Sequence, residues 1–249
     1  MADNKPEQKA THAFVLELIC HHGGPSWVIK VVPVAKLNSQ DIKEYILQTI
    51  VCVRRNGGMP IALICDNSNI NLGAYRLLGG PGIIELEGIP LYLIFDFVHI
   101  FKNIRNNWYT EINQELCFTV DGKNYVACWK DIEKIYFEDQ NTPLRMTKLT
   151  KTSVSPKPLQ RQSVPLCCQV FNDKTVAAFK ALKDNHPFSE GTLIFVSLIN
   201  EWFKMMNVKD TLTHIKLRDP ARIYIPHSHG SLPQINKYLF LFSGIRYPK

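Results

Sequence analysis

The sequence predicts an α/β fold over roughly its first 112 residues and a mainly helical fold after that. Two apolar runs of strand length each end on an aspartate: Ile61-Ala-Leu-Ile-Cys-Asp66 and Pro90-Leu-Tyr-Leu-Ile-Phe-Asp96. A helix-like stretch over 72–78 and a glycine-punctuated joint, Gly79-Gly80-Pro81-Gly82, connect them. Beyond residue 112 the spacing of large apolar residues changes from strand runs to helical stripes. Open α/β sheets place their chemistry at the carboxyl ends of strands, so the two aspartates are the first candidates for function.

Taken in order, residues 1–12 are polar and are expected to form a disordered leader. Residues 13–19 and 27–34 read as an antiparallel hairpin around His21-His-Gly-Gly-Pro25. Ile42, Tyr45, Ile46, Ile50 and Val53 lay one stripe along a helix over 41–53, with Asn38 or Ser39 as its N-cap. Asn56-Gly57-Gly58 ends that helix, and the two acid-ended strands follow. A helix is expected over 99–108, then a small hairpin around Asp121-Gly122 and a helix over 129–137. Residues 143–165 form a basic, proline-interrupted stretch. Helices are expected over 166–182 and 191–208, and an irregular tail over 216–249. The predicted organisation is therefore a leader (1–12), an α/β region (13–112), a helical region (113–215) and a tail.

Composition narrows the function. With 45% hydrophobic and 20% charged residues the chain can bury a core. No apolar run reaches the roughly 18 residues that a membrane helix needs. A formal charge of +7 favours an anionic partner. Arg145, Lys148, Lys151, Lys157 and Arg161 follow one another without an acid, as either a solvated loop or a phosphate-facing segment. Seven cysteines without a Cys-x-x-Cys pair read as buried free thiols of a reducing compartment rather than a zinc site. Phosphate-loop and serine-hydrolase signatures are both missing from the sequence.

Each candidate site residue has a plainer alternative. Asp66-Asn67-Ser68-Asn69 holds a metal or simply caps the next helix. Asp96 and His99 sit three apart as the chain enters a helix, beside a metal or with His99 satisfied in a core. Lys102, Asn103, Arg105, Asn106 and Asn107 can grip phosphates or form an ordinary polar face. Phe171, Asn172, Asp173 and Lys174 offer a ring to stack on a base, an acceptor for guanine and a cation for phosphate; the alternative is a helix with a polar notch. His21-His22 and His227-Ser-His229 are too sparse for a metal centre.

The string from Asp96 to Asn107, with Asp66 on the preceding strand and Leu77-Leu78-Gly79 between, resembles the THAP-type, P-element-like DNA transposases. Looser likeness to that family's GTP-binding insertion domain runs through residues 129–136, 144–149 and 169–179. The resemblance implies an incomplete RNase H-like mixed sheet with helices, followed by a helical insertion domain. It also implies Mg²⁺, GTP and DNA as cofactors and partners, no membrane, a nuclear location, and a homo-oligomer as a further candidate. In such enzymes three acids hold two divalent ions for in-line attack on a phosphodiester. Asp66 falls on the second catalytic acid and is the implied metal ligand. Asp96, His99, Lys102 and Asn103 fall on a supporting motif. The chain departs from the family's pattern: no acid-ended strand precedes the first long helix, Glu17 sits on the wrong strand to substitute, no acid follows Asp219, and the zinc-coordinating THAP module is missing. The expectation is a fragment or decayed form that contacts nucleic acid and GTP without cleaving strands. The rivals are an active enzyme completed by another segment or chain, and a structural or oligomerising module.

Overall fold

The two acid-ended strands pair side by side and parallel. In the computed structural model, which describes residues 9–20, 24–110, 114–182, 188–208, 217 and 245, the chain divides into two compact units, Met1–Asp96 and Phe97–Lys249.

The first unit begins with β1 (His12–Ile19) and β2 (Ser26–Val34), the predicted antiparallel hairpin, with a bulge at Leu16/Glu17. Glu17 is exposed. Helix α1 (Ser39–Arg55) carries Ile42, Ile46 and Ile50 inward, as its spacing requires. Of the two candidate caps, Asn38 is the N-cap, accepting from the Asp41 amide in a capping box. Ser39 instead donates from Oγ to the Ile70 carbonyl (2.8 Å). Strand β3 (Ala62–Cys65) leads into α2 (Asn69–Leu78). That helix starts three residues before its expected position because Ser68 caps it. Gly73 lets α2 approach α1, since a Cβ there would lie 2.2 Å from Ser39 Oγ.

A strand that the sequence pattern concealed follows. The glycine-rich joint runs into β4 (Gly82–Leu86), which pairs antiparallel with β5 (Ile89–Phe95) through the two-residue turn Glu87-Gly88. Both turn residues have positive φ, 54° and 74°, the conformation a tight hairpin needs. Only five residues long and glycine-led, β4 offered no clear alternation. Among the described residues the sheet order is β3-β5-β4. Leu63, Cys65, Leu91, Leu93 and Phe95 face the two helices, while Ile64, Ile83, Tyr92 and Ile94 lie exposed on the other face.

Tyr75 locks the sheet from below. Its buried hydroxyl is within donating distance of the Leu63 carbonyl (2.8 Å) and the Ile94 carbonyl (3.1 Å), one on each parallel strand. Burial pushes the phenol pKa well up, so it remains a donor at all ordinary pH. Tyr75→Phe is expected to cost about 1 kcal/mol, read by urea unfolding, by removing that donor from two carbonyls.

The second unit starts with α3 (Phe97–Trp108), the hairpin β6 (Glu115–Val120) and β7 (Lys123–Cys128), and α4 (Trp129–Gln140). Asp121 and Gly122 make the predicted turn with φ of 50° and 76°. Then come α5 (Lys151–Val154), a 3-10 turn (Pro158–Gln162), α6 (Val164–Val170), α7 (Asp173–Leu182) and α8 (Glu190–Met206). Phe101 and Trp108 of α3 belong to the aromatic core of this unit, with Trp129, Phe171 and Phe195. The units therefore divide before α3, whereas the sequence pattern places its boundary near residue 112.

The single helix expected over 166–182 is two helices. Asn172 interrupts it: its Oδ1 accepts from the Lys174 and Thr175 amides, while its Nδ2 donates to the Cys168 and Gln169 carbonyls. One side chain thus closes α6 and opens α7. The cysteines are all free, but only Cys167 is buried; Cys20 and Cys52 are exposed, against the expectation of buried thiols. The sequence-stretch His21-His22 and the tail candidates His227 and His229 lie outside the described residues. No helix among the described residues is long and apolar enough to cross a membrane.

Candidate strand-end and nucleotide sites

Asp66 and Asp96 directly follow β3 and β5, whose last residues, Cys65 and Phe95, are register partners. The Asp96 amide donates to the Cys65 carbonyl (2.7 Å), continuing the parallel ladder one step past the strands. Both carboxylates therefore stand at the same end of adjacent strands, as the α/β pattern predicts.

Asp66 is exposed and also performs the plainer task. Its Oδ1 accepts from the Ser68 amide (2.9 Å) and from Asn71 Nδ2 (2.8 Å), which shapes the turn into α2. Cys65 adds no thiolate beside it: burial chiefly raises its pKa, and the Asp66 charge raises it further, against a hydrogen bond with Tyr75. Among the described residues, no three His, Cys, Asp or Glu side chains converge in a way that could hold a metal ion. A two-metal phosphoryl-transfer centre needs more oxygen donors than this strand end presents. The Mg²⁺ implied for Asp66 does not fit these donors.

The motif after Asp96 falls in the second unit. His99 and Asn103 on α3 are half-buried. Lys102 and Arg105 are not on a solvated polar face: they are 8% and 0% exposed. Arg105 Nη2 donates to the Arg161 carbonyl (2.7 Å) and, with Nε, to Asn106 Oδ1. Asn106 Nδ2 donates to the same Arg161 carbonyl (3.1 Å), and Lys102 Nζ lies 3.4 Å from Gln162 Oε1. Buried cations on α3 thus clasp the 3-10 turn. Of the basic run, Arg145, Lys148, Lys151 and Lys157 are exposed, and Arg161 is half-buried.

The four proposed nucleotide contacts separate. Phe171 is 3% exposed and packs among Phe101, Trp108 and Phe195, so its ring is not offered to a base. Asn172 is occupied by the helix junction described above. Asp173 and Lys174 are exposed at the start of α7. Asp173 accepts from Asn200 Nδ2 (2.8 Å) and pairs with Lys204 Nζ (2.7 Å). Sequence reasoning missed Asn200 and Lys204. Their signal was legible: two polar residues four apart share one face of α8, a helix rich in large apolar residues.

Residues 98–219 match the family described as TNP-like, GTP-binding insertion domain. The chain's fold is similar to that of the solved Drosophila P element transposase strand transfer complex, with a TM-score of 0.65 and 18% identity. The match covers 85% of this chain and 47% of that one, so the chain spans about half the length of the transposase it matches. No curated protein sequence matches it. The matched insertion domain begins one residue into α3, close to the division between the units.

Proposed function

We propose that this chain is the guanine-nucleotide- and DNA-contacting part of a P-element-like transposase, and that it does not cleave strands on its own described donors. The match of the second unit to a GTP-binding insertion domain carries the nucleotide half of this proposal. Asp173 and Lys174 at the start of α7, with Asn200 and Lys204 beside Asp173, are the polar groups placed to meet the nucleotide. An exposed carboxylate can accept from the guanine amino and imino groups, and an exposed ammonium can meet phosphate. The +7 charge supports contact with DNA, and a nuclear location is part of the same proposal. Titration calorimetry tests it: GTP should give saturable heat that falls at least about ten-fold in affinity with Asp173→Ala or Lys174→Ala. A silent titration of the wild type rejects the nucleotide half.

The parallel pairing of β3 and β5 favours a second reading, in which Asp66 joins acids supplied from elsewhere to complete a nuclease centre. Mg²⁺-dependent nicking of supercoiled plasmid, abolished by Asp66→Ala, is the result that would establish it over the first.

A further inference from the structure

The clasp between α3 and the 3-10 turn leaves charged donors without acceptors. Arg105 uses Nε and Nη2, but its buried Nη1 has no hydrogen-bond partner among the described residues. The same holds for the buried Nε of Arg161. Native proteins rarely leave such groups unmet, and a charged donor is the costliest to leave so. Among the described residues Lys102, 8% exposed, makes through Nζ only a long contact to a neutral amide oxygen at 3.4 Å. Three cations therefore converge where the acceptors are carbonyl and amide oxygens, and among the described residues no carboxylate accepts from any of them. The nearby Cys167 does not supply the missing charge, since burial pushes its thiol up to about 12, against the pull of Arg105 and Lys102. Burial is also the main cause that lowers the Arg105 pKa, and the Arg161 charge lowers it further.

The arrangement is held in place. The Arg161 carbonyl is gripped by Arg105 and Asn106, and its guanidinium lies 5.4 Å from the centre of the Tyr109 ring. A backbone fixed at one end and a ring under the other leave the Arg161 fork pre-set rather than free to swing. Arg161 is half-buried while Arg105 is fully buried, so an anion would enter past Arg161.

We propose that Lys102, Arg105 and Arg161 form a receptor for one phosphate group. Three positive charges call for a dianionic acceptor, and guanidinium forks match phosphate oxygens two at a time. A single carboxylate would neutralise one charge of three. The receptor is distinct from the Asp173–Lys174 region and does not depend on the nucleotide assignment made there.

Pyrophosphate is the probe, titrated into the whole chain by calorimetry and by thermal shift. Wild type is expected to bind it and to melt higher in its presence. Lys102→Gln and Arg161→Gln should each weaken binding at least about ten-fold and abolish the thermal shift. Circular dichroism of each variant checks the fold, and because the two variants alter different elements, one failing to fold leaves the other decisive. Lys130→Ala, which removes an exposed cation on α4 outside both sites, should leave pyrophosphate binding intact, and the GTP titrations of Asp173→Ala and Lys174→Ala read the nucleotide assignment separately, so a failed nucleotide reading and a failed receptor are told apart. Two sources can supply the phosphate. GTP that competes with pyrophosphate, and loses affinity with Arg161→Gln, marks the tail of a nucleotide. A short DNA duplex that does so instead marks a backbone phosphate. Either result supports the receptor. No pyrophosphate binding up to about 10 mM, or equal binding by wild type and both glutamine variants, overturns it.

Discussion

Replacing Gly191 by alanine is expected to destabilise the second unit by about 3 kcal/mol, the upper end of what overpacking costs. The reason is the company its Cα keeps. A Cβ there would lie 2.2 Å from the Val126 carbonyl oxygen, 2.8 Å from its carbon and 2.9 Å from its nitrogen. All three atoms are main chain of β7, so no side chain can turn aside. The only relief is to push α8 away from the hairpin, and the polar contacts at that junction oppose it. Ser189 Oγ donates to the same Val126 carbonyl (2.6 Å), and the Cys128 amide donates to Thr192 Oγ1 (2.8 Å). Buried Asp131 on α4 accepts from the Ser189 amide (3.1 Å) and from Thr192 Oγ1 (2.7 Å). Urea unfolding followed by circular dichroism measures the loss. Glu190→Ala, one residue away and exposed, should stay within about 0.5 kcal/mol of wild type.

A comparable loss, about 3 kcal/mol, is expected for Asp139→Ala. Asp139 is fully buried near the end of α4 and organises the chain that follows. It accepts from the Met146 amide through Oδ1, and from the Thr147 amide (3.2 Å) and Thr147 Oγ1 (2.6 Å) through Oδ2. Alanine would leave those donors without their acceptor. Asparagine would be little better, because its NH₂ would face donors on one side. The pH dependence has a definite sign. Burial works to raise the Asp139 pKa, but the Thr147 and Met146 hydrogen bonds and the Arg145 charge outweigh it, and the net shift is below the ordinary 3.8. A carboxyl with a depressed folded pKa stabilises fully above its unfolded value, and that contribution disappears as pH falls through the folded one. Wild type should therefore lose stability below about pH 4 more steeply than Asp139→Asn, as melting curves between neutral and strongly acidic pH would show.

Much of the fold was legible because apolar residues repeat at the period of their element. The stripe of Ile42, Ile46 and Ile50 and the alternation along β5 each name one buried face. The parallel neighbours ending at Asp66 and Asp96 could be read from length and terminal acid alone. Strand β4 could not, since Gly82 and the Glu87-Gly88 turn sit within a glycine-rich run that resembles a connector. The break at Asn172 was hidden because Phe171 and Thr175 keep a helical spacing across it; only the side chain's hydrogen bonds reveal the cap. The site was harder still. Lys102 and Arg105 carry the composition of a solvated face, and their burial depends on Arg161, 56 residues along the chain from Arg105. Long-range pairing of that kind leaves no periodic trace.

The placement of the tryptophans makes the two halves optically unequal. Trp108 and Trp129 are fully buried with ring centres 5.0 Å apart at 88°, and Trp202 is 5% exposed, all in the second unit. Trp27 on β2, 51% exposed, is the sole indole of the first. Emission shifts and near-ultraviolet dichroism therefore watch the insertion domain almost exclusively, and the strand-end aspartates lie in a spectroscopically quiet region that one engineered indole would make visible.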